Sequence, residues 1–119
     1  MISCIAIDPS SPSRIWVTLS QLDGGRVFRS DDAGATWVDR TAGLPPIPIN
    51  SVVVDPADFK RVWVSADVGV YESTNLGSTW ASFSAGLPNA MGVDLLFHKQ
   101  DRVLFCATRN RGVWAIQIP

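Results

Sequence analysis

The chain repeats itself, and a repeated unit of 43 to 47 residues leaves few architectures open to 119 residues. Ile5-Ala6-Ile7-Asp8-Pro9 returns as Val52-Val53-Val54-Asp55-Pro56, and in each copy an arginine follows six positions after the Asp, Arg14 and Arg61. Each arginine opens an apolar run, Ile15-Trp16-Val17-Thr18 and Val62-Trp63-Val64-Ser65. Val27-Phe28-Arg29-Ser30 then matches Val70-Tyr71-Glu72-Ser73, Gly34-Ala35-Thr36-Trp37 matches Gly77-Ser78-Thr79-Trp80, and Ala42-Gly43-Leu44-Pro45 matches Ala85-Gly86-Leu87-Pro88. From Val27 to Pro45 the offset is a constant 43; up to Thr18 it is 47, which sets a four-residue insertion near Gln21 to Gly25. A third copy starts at about Gly92, with Leu95-Leu96-Phe97 in the place of Val52-Val53-Val54. Arg102-Val103-Leu104-Phe105 takes the place of Arg61-Val62-Trp63-Val64, and Gly112-Val113-Trp114 that of Gly69-Val70-Tyr71. Such a unit cannot bury its apolar face alone; it must stack on its neighbours.

The units read as β-structure. Their apolar runs are short, rich in Val, Ile and Trp, and bounded by Asp-Pro, Gly, Asn and Ser. No segment holds a capped 3.6-residue apolar period, so helices are not expected. The first repeat, about 1–48, predicts four strands near 2–7, 14–20, 26–30 and 36–41. The second, about 49–91, predicts four near 50–55, 61–67, 69–73 and 79–84. The third, about 92–119, predicts three near 93–98, 102–108 and 112–118. Four short antiparallel strands per repeat of about 43 residues is the arithmetic of a β-propeller blade. The expected fold is all-β, a partial β-propeller of two full four-stranded antiparallel blades and a three-stranded third, in a single segment 1–119.

Composition narrows the function classes. The formal net charge is −1, which lacks the basic footprint of a nucleic-acid binder. No apolar run approaches the ~18 residues that span a membrane as a helix. The start, Met1 to Asp8, has no basic region and is not read as a signal peptide. Two cysteines, Cys4 and Cys106, do not make a disulfide framework, though a single bridge stays open.

Between the third and fourth strands lies Ser30-Asp31-Asp32-Ala33-Gly34-Ala35-Thr36-Trp37, mirrored by Ser73-Thr74-Asn75-Leu76-Gly77-Ser78-Thr79-Trp80. Short Asp or Asn side chains bond turn backbone two residues on. Gly takes positive φ at low cost. Thr restarts the strand, and Trp offers a large apolar face whose N–H needs a partner. The pattern resembles the Asp-box of BNR or sialidase-like repeats. The surrounding sequence is similar to the propellers of sialidases, xyloglucan-cleaving glycoside hydrolases, sortilin-type receptors and photosystem II assembly factors. The Asp-Pro and Gly-Leu-Pro stretches most resemble the xyloglucanase style. The resemblance implies a structural box on the blade periphery: Ser30, Asp32, Gly34, Thr36 and Trp37, then Ser73, Asn75, Gly77, Thr79 and Trp80. In the second copy Asn75 replaces the acid, and the third repeat has no box. It also implies a secreted or periplasmic setting.

Candidate chemistry is weighed against the repeat itself. Sialidases pair a Tyr with a Glu; here Tyr71 and Glu72 are adjacent, so in a strand they point to opposite faces. Tyr71 also stands where Phe28 and Trp114 stand, which makes it a core aromatic. Arg14, Arg61 and Arg102 occupy one repeated position and read as pairing residues rather than one substrate triad. Asp8 and Asp55 read as turn residues. Trp16 and Trp63 could stack on sugars, but their equivalence favours packing between blades. Chemistry breaks a repeat, so the acids to consider are Asp23, Asp39, Asp58, Asp67, Glu72, Asp94 and Asp101. None forms a recognisable pair of the kind glycoside hydrolysis needs, and catalytic residues stay unassigned. His98 and Cys106 offer only scattered ligands, and Asp31 to Gly34 lacks the ladder of a calcium loop. No metal or cofactor is expected.

An open arc of blades leaves two end faces bare. If each exposes roughly 400–500 Å² of apolar surface, roughly 10 kcal/mol per face goes unrealised at about 25 cal/mol/Å². That rivals the net stability of a domain, about 5–15 kcal/mol. The chain is therefore expected to be one part of a longer propeller, its C-terminal part, or to assemble with copies of itself. The expected function is a non-catalytic scaffold or a protein- or glycan-binding surface. The alternative is a fragment of a sialidase-like or xyloglucanase-like glycoside hydrolase with its catalytic acids elsewhere.

Overall fold

The computed structural model describes residues 1–83 and 92–119. The first sheet holds β1 (Ile2–Ile7), β2 (Ile15–Leu19), β3 (Val27–Ser30) and β4 (Val38–Asp39). The second holds β5 (Ile49–Asp55), β6 (Asp58–Ala66), β7 (Val70–Ser73) and β8 (Ala81–Ser82). The third holds β9 (Gly92–His98), β10 (Val103–Thr108) and β11 (Val113–Gln117). Neighbours in sequence pair antiparallel in every sheet, in the orders β1-β2-β3-β4, β5-β6-β7-β8 and β9-β10-β11. The expected all-β architecture of four, four and three strands holds, and no element among the described residues is a helix.

β1 and β9 both pack against β5, so the first strand of each sheet lines a common hub and β4 and β8 lie on the outer edge. One core fills the space between the first and second sheets, with Trp16, Val27, Val52, Val54, Val62 and Val64 buried in it. A second core fills the space between the second and third sheets around Trp63, Val70, Leu95, Leu104 and Cys106. Trp16 and Trp63 are fully buried between sheets, as repeat equivalence predicts. The middle sheet is thus covered on both faces, Val52 and Val54 by the first sheet and Val53 by the third.

Strand pairing corrects two details of the sequence reading. The fourth strands are short, two residues each, because pairing stops early. Arg40 N–H still donates to the Val27 carbonyl at 2.8 Å, but the Thr41 hydroxyl then takes over, accepting from the N–H groups of Arg26 at 2.8 Å and Val27 at 3.2 Å. The predicted end of β8 at Ser84 and the Ala85–Pro88 match lie outside the described residues. The third repeat is also slipped by one in β10. Val54 pairs with Val62, whereas Phe97 pairs with Leu104, so Leu104 stands in the place of Val62 and Phe105 in that of Trp63. The turn before β10 is one residue shorter, and Arg102 lies within it at φ 54° rather than at the strand position of Arg61.

Candidate functional site: the cleft at the hub

The two predicted box turns fold alike. In the first, the Ser30 hydroxyl donates to Asp32 Oδ1 at 2.8 Å and accepts from Gly34 N–H at 2.8 Å. Asp32 Oδ1 also accepts from Thr36 N–H at 2.8 Å, and its Oδ2 from the Thr36 hydroxyl at 2.5 Å. In the second, Ser73 donates to Asn75 Oδ1 at 2.9 Å and accepts from Gly77 N–H at 2.8 Å, and Thr79 N–H donates to Asn75 Oδ1 at 2.9 Å. One bond reverses direction: the Asn75 amide donates to the Thr79 hydroxyl at 2.8 Å. The Thr36 hydroxyl and N–H, with Ser30, hold the exposed Asp32 carboxyl down at about 2. Both turns adjoin the outer strands, away from the hub.

The second turn clamps onto the first sheet. Trp80 donates its indole N–H to the Arg40 carbonyl at 2.8 Å, and Arg29 donates to the Leu76 carbonyl at 2.8 Å. Trp37 of the first turn has no sheet on that side, and 42% of it is exposed.

At the far end of the hub strands, Asp8 and Asp55 are buried and ion-paired. Arg14 reaches Asp8 at 2.9 Å. Arg102 reaches both oxygens of Asp55, at 2.5 and 2.8 Å, so this pair spans the second and third sheets. Burial pushes both carboxyls up; hydrogen bonds from Ser10 and Arg14 to Asp8, and from Arg102 and Ala57 to Asp55, outweigh it and leave both below the usual range. Glu72 is likewise occupied, accepting from Arg61 at 3.0 Å and from the Trp63 indole at 2.9 Å. Tyr71 points to the opposite face, against the first core. Asp39 accepts from Thr41 N–H at 2.8 Å and Asp58 from Lys60 N–H at 3.1 Å. Cys4 and Cys106 are both free. Among the described residues no group of three His, Cys, Asp or Glu side chains could hold a metal ion.

Asp94 accepts from Leu95 N–H at 2.9 Å, and Asp101 lies 3.4 Å from His98. Asp67 sits elsewhere. At the end of the hub where β1, β5 and β9 begin, a cleft of about 830 Å³ opens across all three sheets. Its walls include Ser3, Asn50 and Val93 from the first strands and Ser20, Asp67 and Arg109 from the ends of the second strands. Strand register makes each trio a single repeated position. Ile2 pairs with Leu19, Ile49 with Ala66 and Gly92 with Thr108, and the trios are the next residues along. Asn50 joins the sheets, its amide donating to Asp67 Oδ1 at 3.1 Å and to the Gly92 carbonyl at 2.9 Å. Ser3 donates to the Ile49 carbonyl at 2.6 Å. None of the described lining residues is aromatic. Asp67 was among the repeat-breaking acids; Asn50 and Arg109 carry the same signal, a position whose chemistry differs in every copy, but self-alignment registers such positions only as mismatches.

No family model matches this sequence, and no curated protein matches it. Solved structures do match. A GH74 enzyme of Niastella koreensis superposes with a TM-score of 0.79 at 20% identity over 95% of this chain and 19% of its own. The GH74 xyloglucanase of Xanthomonas campestris gives 0.75 at 20% identity over 95% of this chain and 20% of its own. YCF48 of Cyanidioschyzon merolae gives 0.67 at 18% identity over 96% of this chain and 33% of its own, and a further YCF48 structure contains a D1 peptide. The chain therefore spans about a fifth of the GH74 chains and a third of YCF48. At these identities the likeness establishes the fold: the three sheets are blades of the β-propeller kind.

Proposed function

We propose that this chain is a non-catalytic propeller segment, one unit of three repeats (about 1–48, 49–91 and 92–119), whose hub cleft binds an extended peptide segment of a partner protein. The carrying observation is the paired trios. The fold repeats almost everywhere, yet Ser20, Asp67 and Arg109 at one repeated position, and Ser3, Asn50 and Val93 at the other, converge on one cleft with different chemistry from each blade. The Asn50 amide and Asp67 carboxylate of the second sheet, with the Arg109 guanidinium of the third, suit the mixed donors and acceptors of a peptide. A wall without described aromatic rings offers no platform for stacking a sugar face. YCF48, a structural neighbour, has a structure with a peptide bound. The Asp-box residues Ser30, Asp32, Gly34, Thr36 and Trp37, with Ser73, Asn75, Gly77, Thr79 and Trp80, act as structural pins of the blade rim in this reading, their Ser, Asp, Asn and Thr side chains bonded within each turn and the Trp80 indole to the Arg40 carbonyl. The bare end faces are covered by further blades or by copies of this chain.

A second reading has one observation in its favour, the superposition on GH74 enzymes. There the chain is a fragment of a glycoside hydrolase, and the cleft lines a glycan path whose catalytic acids lie on other blades.

Amide NMR titration separates the two. A pool of capped random peptides is expected to shift Ser20, Asn50, Asp67 and Val93, and Asp67→Ala to abolish those shifts. Shifts produced instead by xyloglucan oligosaccharides favour the glycan reading, and no shift with either probe removes the cleft from consideration.

A further inference from the structure

The first and second blades share a buried pair of donors but not its acceptor. In the second sheet Trp63 and Glu72 stand opposite each other in β6 and β7. Glu72 Oε2 accepts two bonds there, from the Trp63 indole N–H at 2.9 Å and from Arg61 Nε–H at 3.0 Å. One carboxylate oxygen thus serves an indole and a guanidinium together. In the first sheet Trp16 stands opposite Arg29 at the same register. The donors are of the same two kinds, and no residue of the chain supplies the carboxylate.

Trp16 Nε1, Arg29 Nε and Arg40 Nε are the buried side-chain nitrogens among the described residues that have no acceptor. All three come from the first blade and face the second. Trp16 is fully buried, and only 8% of Arg29 is exposed. The Arg29 guanidinium lies 5.9 Å from the Trp16 ring centre and is clamped, donating to the Leu76 carbonyl at 2.8 Å and to Asp31 at 3.1 Å. Its Nε–H is therefore not free to turn outward. Arg40 stands beside the same ring: a Cβ on Gly77 would meet Arg40 Cβ and Trp16 Cζ3 alike at 3.1 Å. Asp31 is shared with Arg14, at 3.2 Å. The opposing face of the second sheet presents Val52, Val54, Val62, Val64 and Tyr71, none of them an acid. Buried donors are seldom left unpaired, because each costs about 1–3 kcal/mol. A water molecule accepts hydrogen bonds but leaves the guanidinium charge unbalanced, whereas an anion answers both.

We propose that a small monovalent anion, a halide or a carboxylate such as formate, binds between the first and second sheets beside Trp16. It accepts from the Trp16 indole and Arg29 Nε–H as the Glu72 oxygen accepts from Trp63 and Arg61, with the Arg40 guanidinium adding positive charge. Arg29 and Arg40 also hold the second box turn, through the Leu76 carbonyl and the Trp80 indole, so the anion fastens the two blades at that turn. Asp31 is half-exposed, which sets the seat near the rim and within reach of ions in solution. Without the anion both donors stay unpartnered, and the stability it adds grows with its concentration.

The test is an NMR titration of the indole N–H signals with sodium chloride and with sodium formate, sodium gluconate holding the ionic strength constant. The Trp16 signal is expected to move and saturate, while the Trp63 signal, whose acceptor is Glu72, stays in place. The melting temperature should rise over the same range. Arg29→Glu gives the first blade the carboxylate of the second, so its Trp16 signal and its melting temperature should lose their dependence on the anion. Should Arg29→Glu fail to fold by circular dichroism, Arg29→Gln, whose amide oxygen accepts from the indole, runs the same comparison. The wild-type titration needs neither variant. Movement of the Trp16 signal with either anion supports the proposal and names the class that binds. A Trp16 signal that moves with neither overturns it, the result expected if water fills the seat. So does a Trp63 signal that moves as far as that of Trp16, the mark of a general salt effect, or an anion response unchanged in the variant.

Discussion

The indole N–H of Trp63 donates to Glu72 Oε2 at 2.9 Å, while Trp16, the same residue one blade earlier and just as buried, finds no acceptor for its own. Arg29 occupies the position of Glu72 there, and its guanidinium lies 5.9 Å from the Trp16 ring. A buried donor without a partner costs about 1–3 kcal/mol. Glu72→Ala creates that orphan at Trp63 and also releases Arg61, so it should destabilise by about 1–3 kcal/mol. Trp63→Phe should cost about 1–2 kcal/mol more than Trp16→Phe, because only the second removes an unsatisfied group along with the ring volume. Denaturant unfolding of the four chains measures both differences.

Gly77 and Gly34 are equivalent turn glycines with different surroundings. Both have positive φ, 81° and 94°. A Cβ on Gly77 would meet the Trp16 ring at 3.0 Å and Arg40 Cβ at 3.1 Å; on Gly34 the nearest atom, in Trp37, is 3.7 Å away. Gly34→Ala should cost about 1–2 kcal/mol, the ordinary penalty of left-handed backbone. Gly77→Ala adds a clash at the sheet interface, and its melting temperature should fall further than that of Gly34→Ala.

The Asp55 carboxylate is the clasp between the second and third sheets. Arg102→Ala leaves it buried with the Ala57 N–H at 2.9 Å and, as its one remaining cation among the described residues, Arg61 at 3.9 Å. Breaking a buried pair from one side costs about 3–5 kcal/mol; Arg102 is partly exposed, so the loss should fall at or below the lower end. The Asp55 carboxyl should also titrate at higher pH in the variant. Carboxyl carbon NMR reads that rise directly.

Acid should loosen the first box turn before the second. Asp32 is depressed to about 2, mainly by the Thr36 hydroxyl, and a depressed carboxyl contributes stability above its unfolded value. That contribution is complete above about pH 4, the unfolded Asp value, and is lost as pH falls through about 2. Asn75 has no proton to gain. Asp32→Asn should therefore keep the turn and remove its acid sensitivity, seen as a Thr36 amide shift that no longer moves between pH 4 and pH 2.

Eleven strands and the hydrogen-bonded turns at Ser30–Trp37 and Ser73–Trp80 were legible because short Val-, Ile- and Trp-rich runs and turn chemistry are local. The one-residue slip in β10 was not. Arg102 imitates Arg61 in sequence, but its turn is shorter, and only hydrogen-bond register distinguishes the two. The hub cleft was half-visible. Asp67 stood out as an acid without a counterpart, but Ser20 and Arg109, at its own repeated position, share nothing with it in sequence. Positions that hold the sheets together repeat from blade to blade, whereas those lining the cleft differ in each copy.

Side-chain NOE spectroscopy tests the blade arrangement most directly. Blades stacked about a hub bury Trp16 of the first sheet in one cluster with Val52 and Val54 of the second, and stack the Trp63 ring on Phe97 with centroids 5.6 Å apart. Cross-peaks for both pairs are the predicted result. Their absence, with NOEs instead joining residues of the first sheet directly to Leu95 and Leu104 of the third, would contradict it.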